Sequence, residues 1–265
     1  MRLTFLGSGT SHGVPVIGCH CITCSSPNPK DNRTNASVLI ARRGKNILID
    51  CGRDFRVQAI REDIRRLDHL FLTHTHFDHV AGIDDLRVYN YQQSEPIPIY
   101  GMDEHLRYLK SYIFHYLFDD GIQKGGGVSR LEPIALNEPL KIDGLLFEPI
   151  TVFHGRLKIY GYRFGTCAYI SDVSYIPDEA LEKLKNLEIL IIDALRFRSH
   201  PTHFNFEQAL EIAAQLKPSR TYLTHMCHDI LHDEVEQGLR NPSSGYSSTL
   251  AVYLAYDGLS LKLAD

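Results

Sequence analysis

Residues 73–79 read THTHFDH, three histidines and an aspartate directly after the apolar segment His69–Thr73. That segment has strand character, and in an extended chain alternate side chains share a face, so His74 and His76 can point at one ion. Once the chain turns, Asp78 and His79 can address a second ion beside it. The following VAGIDDLR has the pattern of a helix start, whose dipole favours a nearby hydroxide or phosphate. A polar loop carrying surface histidines is the plain competitor, and so dense a set of ligands at a strand end speaks against it.

The chain on either side alternates strands and helices. Arg2–Leu6, Ser37–Ala41 and Asn46–Asp50 read as strands, with a turn at Arg43-Gly44, and helices are expected over Arg56–Leu67 and Met102–Phe118. In the second half Leu145–Phe153, Tyr160–Phe164, Thr166–Ser171, Leu187–Asp193 and Arg220–Thr224 read as strands. Pro177–Leu184 and Phe206–Leu216 have helical spacing, and YLAYDGLSLKL reads as a closing hairpin turned at Asp257-Gly258. Two β-rich halves with inserted helices imply a layered α/β arrangement. No linker, charge block or repeat interrupts residues 1–265, so a single domain is expected.

Composition sets limits on partners. With 28 Lys and Arg against 32 Asp and Glu, the net charge of -4 gives no general pull toward nucleic acid or an anionic membrane, and a small anion suits the chain better than a polyanion. The N-terminal MRLTFLGSGT reads as a strand and turn rather than a signal peptide, and no apolar run approaches the roughly 20 residues of a membrane span. A cytoplasmic protein is therefore expected, with no membrane partner. Thiols stay reduced in that compartment, so clustered cysteines more often bind metal than form disulfides.

The run at His74 to His79 resembles the His-x-His-x-Asp-His signature of the metallo-β-lactamase fold, whose members are mostly two-metal hydrolases. The resemblance implies an α/β chain in a four-layer αββα sandwich and extends along the sequence through other matching positions. His154, after LLFEPITVF, matches the third histidine of the first metal site. Asp172, in AYISDVS, matches the carboxylate that bridges the metals, and His225, in TYLTHMCH, matches the last histidine of the second site. It follows that His74, His76 and His154 would hold one divalent ion, while Asp78, His79 and His225 hold the other. Asp50, in ILIDCG, matches a position that supports the histidine loop without binding metal. Two dications roughly 3.5–4 Å apart need anions between them, which Asp78, Asp172 and a shared hydroxide would supply. Zn²⁺, Mn²⁺ and Fe²⁺ all suit this ligand set.

Three of the six cysteines fall in GCHCITC, residues 18–24. Cys19, Cys21 and Cys24 resemble the cluster of the PhnP phosphodiesterases, where three cysteines and a histidine hold one structural zinc. The corresponding histidine here is His228, with Cys227 beside it as a rival ligand. A Cys3His tetrahedron is closed to water, so it holds structure rather than doing chemistry. The resemblance implies hydrolysis of a small cyclic phosphodiester, such as phosphoribosyl 1,2-cyclic phosphate, by a metal-bridging hydroxide. Within RFRSHPTHFNFEQAL, His203 resembles the general-acid histidine of related enzymes, and His200 stays open for the same role.

Other features carry less. Cys51 and Cys167 read as core residues, and Arg33 reads as a surface residue in preference to a phosphate contact. Three rivals share the fold: an RNase Z-like tRNA 3′ endonuclease, which calls for a basic RNA-binding surface; a diiron redox protein, which calls for a more carboxylate-rich site; and a cofactor carrier lacking the intact histidine run. Homodimers are common among related enzymes, so one is possible here.

Overall fold

The computed structural model describes all residues except 125, 126, 247, 249, 264 and 265. The chain divides into two compact units, each assembled from separate stretches: Met1–Leu6, Ser37–Asn137 and Gly258–Asp265 form the first, and Gly7–Ala36 with Glu138–Asp257 form the second. Its strands are β1 Arg2–Gly7, β2 Ser37–Arg42, β3 Lys45–Ile49, β4 His69–Phe71, β5 Ile97–Gly101, β6 Leu131–Ala135, β7 Leu140–Ile142, β8 Leu145–His154, β9 Leu157–Phe164, β10 Cys167–Ile170, β11 Ile189–Asp193, β12 Arg220–Thr224, β13 Val252–Leu254 and β14 Ser260–Lys262. No helix among the described residues is long and apolar enough to cross a membrane.

The first unit's sheet runs β14-β1-β2-β3-β4-β5-β6. β2 and β3 form a hairpin whose turn residues, Arg43 and Gly44, both have positive φ, 48° and 78°. That is the turn geometry whose twist matches the strands it joins. From β3 to β6 all neighbours are parallel. Leu48, Leu70, Ile99, Phe55 and Ile83 share its buried apolar cluster. Because β3 and β4 are parallel, their C-terminal ends open on the same edge, where α/β sheets place ligands. Asp50 and the run His74–His79 stand there.

The second unit's sheet runs β13-β12-β11-β10-β9-β8-β7, antiparallel over β7 to β10 and parallel from β10 to β13. Directions alternate so that β8, β10, β11 and β12 all end on one edge, carrying His154, Asp172, Asp193 and His225. The helix Phe206–Leu216 packs its apolar face into this unit's core. Asn205 caps it, accepting from Gln208 N while Gln208 bonds back, and Lys217 in the left-handed region ends it.

Three expectations need correction. The closing hairpin does not form, because β13 pairs parallel with β12 while β14 pairs antiparallel with β1 in the other sheet. Asp257 and Gly258 do turn the chain, but the Asp257 carboxylate is tied elsewhere, accepting from Ser8 N and Oγ at 3.0 and 2.9 Å and from Thr34 N at 2.9 Å. The helix expected over Met102–Phe118 is broken, with Asp103–Tyr108 followed by a wider π turn, Leu109–Ile113, and a new start at His115 after Phe114 leaves helical geometry. The helix expected over Arg56–Leu67 spans Phe55–Arg61 and stops where Asp63 turns to φ 49°. Strands β5, β6 and β7 are short, and Pro98 and Pro133 stand inside two of them, so local pattern gave no clear strand signal.

Candidate metal centre

In the first unit the ligand run is held from behind by one buried carboxylate. Asp50 follows β3 at φ 64°, and its Oδ1 accepts from Thr73 N at 2.9 Å and Thr73 Oγ1 at 3.0 Å. Its Oδ2 lies 2.8 Å from His79 Nδ1. Since that carboxylate collects donors, His79 donates from Nδ1 and keeps the Nε2 lone pair for a cation. Burial pushes the Asp50 carboxyl above the usual range, and the His79 imidazole and the Thr73 donors pull it back. Thr73 Oγ1 also touches His74 Nδ1 at 3.0 Å, and the His74 ring lies 4.4 Å from that of His76 and 4.3 Å from that of His79. Asp78 Oδ2 stands 3.2 Å from His79 Nε2.

The short helix Phe77–Val80 that carries Asp78 and His79 docks on the turn after β3. Cys51 N donates to His79 O at 2.8 Å, and Gly82 N donates to Cys51 O at 2.9 Å. A Cβ on Gly82 would meet Gly52 O at 2.2 Å and Phe55 Cβ at 2.7 Å, so only glycine permits this approach.

The second unit presents a matching set. His154 at the end of β8 places Nδ1 2.7 Å from the carbonyl of Thr202, which fixes Nδ1 as donor and makes Nε2 the ring's acceptor atom. Asp172 follows β10 at φ 56° and His225 follows β12 at φ 60°, both left-handed turns that swing the side chains off the strand line. Asp172 Oδ2 accepts from Ser171 Oγ at 2.7 Å, and its Oδ1 lies 3.2 Å from His225 Nε2. His203, largely buried, has Nδ1 at 2.8 Å from Asp193 Oδ2, an oxygen that also accepts from Val173 N at 3.0 Å. Its ring stacks on that of His225 at 4.9 Å. His200 lies farther out, accepting from Thr202 Oγ1 at 3.2 Å, and burial pulls its pKa down.

Asp193 was not foreseen. Its signal was present: ILIID is a wholly buried strand ending in a carboxylate, and a charge there needs a partner. Burial raises the Asp193 carboxyl, opposed first by the adjacent His203.

The cysteine cluster lies wholly within the second unit. Cys19, Cys21 and Cys24 Sγ stand 3.3, 3.5 and 3.5 Å from His228 Nδ1. A tetrahedral zinc with sulfur at about 2.3 Å and nitrogen at about 2.05 Å sets sulfur and nitrogen about 3.6 Å apart, so the four ligands fit. Cys227 takes no part: its half-buried thiol accepts from Asp229 N at 3.4 Å, and desolvation raises its pKa.

Arg33, expected at the surface, is buried beneath this cluster. Gly9, bridged to Asn35 and Met226, passes so close to its backbone that a Cβ there would meet Arg33 O at 2.7 Å. Its guanidinium donates to Cys227 O at 3.2 Å, Ile230 O at 2.8 Å and Asp31 Oδ1 at 3.1 Å. Asp31 also accepts from Ser26 Oγ at 2.7 Å and His232 N at 2.8 Å. One buried ion pair thus joins the loop after the cysteines to the loop bearing His228.

Residues 45–226 match the model of the Beta-lactamase superfamily domain. A solved structure described as a new diphosphatase from the PhnP family is 41% identical, covers 98% of this chain and 97% of its own, and superposes with a TM-score of 0.87. The chain belongs to the beta-lactamase superfamily and, within it, to the PhnP family. Its fold is therefore of the metallo-β-lactamase type. An octanoyltransferase of Porphyromonas gingivalis is 40% identical over 237 residues, 88% of this chain and 48% of that protein. The chain thus spans about half of that relative's length. A ribonuclease Z of Bradyrhizobium diazoefficiens is 44% identical over 64 residues, 23% of this chain and 21% of its own.

Proposed function

We propose that the protein is a metal-dependent hydrolase of small phosphodiesters. The observation that carries this reading is the likeness, along nearly the whole of both chains, to a diphosphatase of the PhnP family. We assign His74, His76 and His154 to one divalent cation, Asp78, His79 and His225 to the other, and Asp172 to both, on the pattern of the family. When bound, such cations lower the pKa of water and offset charge on phosphoryl oxygens. Asp50 orients His79, and the Thr202 carbonyl orients His154. His203 presents Nε2 to the leaving oxygen as its proton donor, since Asp193 fixes Nδ1 as donor and sets the ring's orientation. His200, pulled toward the neutral form and without a carboxylate on its ring, is the weaker proton donor.

The substrate class we favour is a cyclic diester of a small polyol, such as phosphoribosyl 1,2-cyclic phosphate. A diphosphate is the second reading, favoured by the activity of the 41% identical relative. The two separate on the leaving group. An alkoxide needs a proton as the bond breaks, whereas a leaving phosphate does not, so His203→Ala should slow a cyclic diester far more than a dinucleoside diphosphate.

The test compares a chromogenic diester, cyclic diesters, a dinucleoside diphosphate and precursor tRNA with the metal-loaded protein. Hydrolysis of the small diesters and its loss in a folded Asp172→Ala variant support the reading. Near-wild-type turnover in that variant would sink it, and preference for the tRNA would favour the ribonuclease Z alternative.

A further inference from the structure

In THTH, residues 73–76, two threonines alternate with the two histidines. His74 and His76 bring their rings within 4.4 Å of each other, edge to face. Each threonine bonds instead to a buried group of the first unit. Thr73 is held through N and Oγ1 by Asp50. Thr75, half-buried, has its Oγ1 3.2 Å from Nδ1 of His105. His105 stands in the first turn of the helix Asp103–Tyr108, directly after β5, and is only 4% exposed. Its neighbours Leu106 and Leu109 belong to the unit's buried apolar cluster. The His105 ring also lies behind that of His74, 6.4 Å away and nearly perpendicular at 74°.

An imidazole in such a place costs desolvation that a third apolar side chain would not, so its polar edge needs a use. The bond to Thr75 supplies one. The backbone has only two soft torsions per residue, so anchoring Thr75 limits how far apart the rings on either side of it can stand. Cation–ligand distances in a well-formed site vary by only about 0.2 Å, and a looser span between the rings would cost affinity. We propose that His105 is a positioning residue of the metal centre, acting through Thr75 to set the span between His74 and His76. The inference rests on the assignment of those two histidines to one cation. Thr73 and Thr75 then serve as two anchors, one bonded to a carboxylate and one to an imidazole, with a ligand after each.

The test titrates protein holding zinc at its cysteine cluster with Mn²⁺, a cation that thiolates do not select, and reads the free ion by electron paramagnetic resonance. Thr75→Val keeps the shape and removes the hydroxyl, while His105→Phe keeps a ring and removes its nitrogens. Each should weaken Mn²⁺ binding about 10–100-fold, the range for losing a group that orients a ligand. Thr75→Ser should bind as the wild type does. His105→Asn, whose amide offers a donor and an acceptor near the place of Nδ1, should regain most of the loss, which a merely space-filling role would not allow. The double variant Thr75→Val/His105→Phe should be no weaker than either single one, since both remove the same bond. His115→Phe, at an exposed position, should leave the affinity as it was. Wild-type affinity in Thr75→Val, a His105→Asn no better than His105→Phe, or losses that add in the double variant overturns the inference. His74→Ala tests the underlying assignment separately: intact Mn²⁺ binding there ends that assignment, whereas a large loss there beside wild-type binding in Thr75→Val removes the inference alone.

Discussion

Asp50 with His79 and Asp193 with His203 are the same device used twice. In each, a buried carboxylate at a strand end lies 2.8 Å from a histidine Nδ1, and burial raises the acid while the imidazole pulls it back. They differ in what surrounds the carboxylate. Asp50 spends its remaining capacity on Thr73, locking the strand end from which the ligand run departs. Asp193 takes Val173 N and stands 3.8 Å from His225 Nδ1, beside the second unit's own ligands. On the proposed function, the first pair would fix a lone pair toward a cation, and the second a proton toward a leaving group. Orientation by a carboxylate therefore does not reveal a histidine's task, which depends on what faces its Nε2.

Breaking the two pairs should give different failures. The largest effect is expected from His203→Ala, which should lower kcat for a cyclic diester by roughly 10²–10⁴-fold, measured at saturating substrate with metal content unchanged. Retained metal with lost turnover would mark a proton donor, and lost metal would recast His203 as a ligand. Asp50→Asn should instead weaken metal binding by about 10–100-fold, read by titrating the metal-free protein with Zn²⁺. Asp193→Asn should leave that titration near wild type and reduce turnover of alkoxide-leaving substrates, so a matching loss of metal in both variants would erase the distinction.

His232 sharpens the comparison from another side. It is a buried histidine whose Nδ1 has no hydrogen-bond partner, and burial, with help from Lys30 and Arg33, pulls its pKa down to about 4. A histidine of ordinary pKa near 6.5 in the unfolded chain then takes up a proton on unfolding at intermediate pH. Its contribution is in place above about pH 6.5 and is lost as pH falls toward 4. His232→Phe should flatten the acid limb of stability over that window, followed by denaturant melts at several pH values. The smallest effect is assigned to His200→Ala, with turnover reduced only a few-fold if His203 is the proton donor. A loss as large as that of His203→Ala would exchange their roles.

Much of this architecture was legible in the sequence because its signals are local. The strand-to-turn step at Thr73–His79 and the helical spacing of Phe206–Leu216 each announce themselves within a few residues. What escaped depends on partners far along the chain. Arg33 looked exposed because, apart from Asp31 two positions before it, the acceptors that account for its burial are remote: Cys227 and Ile230 lie 194 and 197 residues away. Asp257 looked like a hairpin turn because Asp-Gly is a strong local signal, and the donors on Ser8 and Thr34 that claim its carboxylate are equally remote. Asp193 fell between these cases, marked by its strand but explained only by a histidine ten positions on.

The Cys3His cluster also has a kinetic side. Three of its ligands sit within six residues, and the fourth lies 209 positions from the first. If the cluster holds the proposed structural zinc, the three cysteines would keep it on the unfolded chain until His228 arrives. Closing a loop of that span is worth about 5 kcal/mol in chain-entropy terms, reduced by whatever the ion already gains from the unfolded cysteines. The ion would then act as a removable crosslink. Chelator should slow refolding by taking away the anchor on which the distant segment closes.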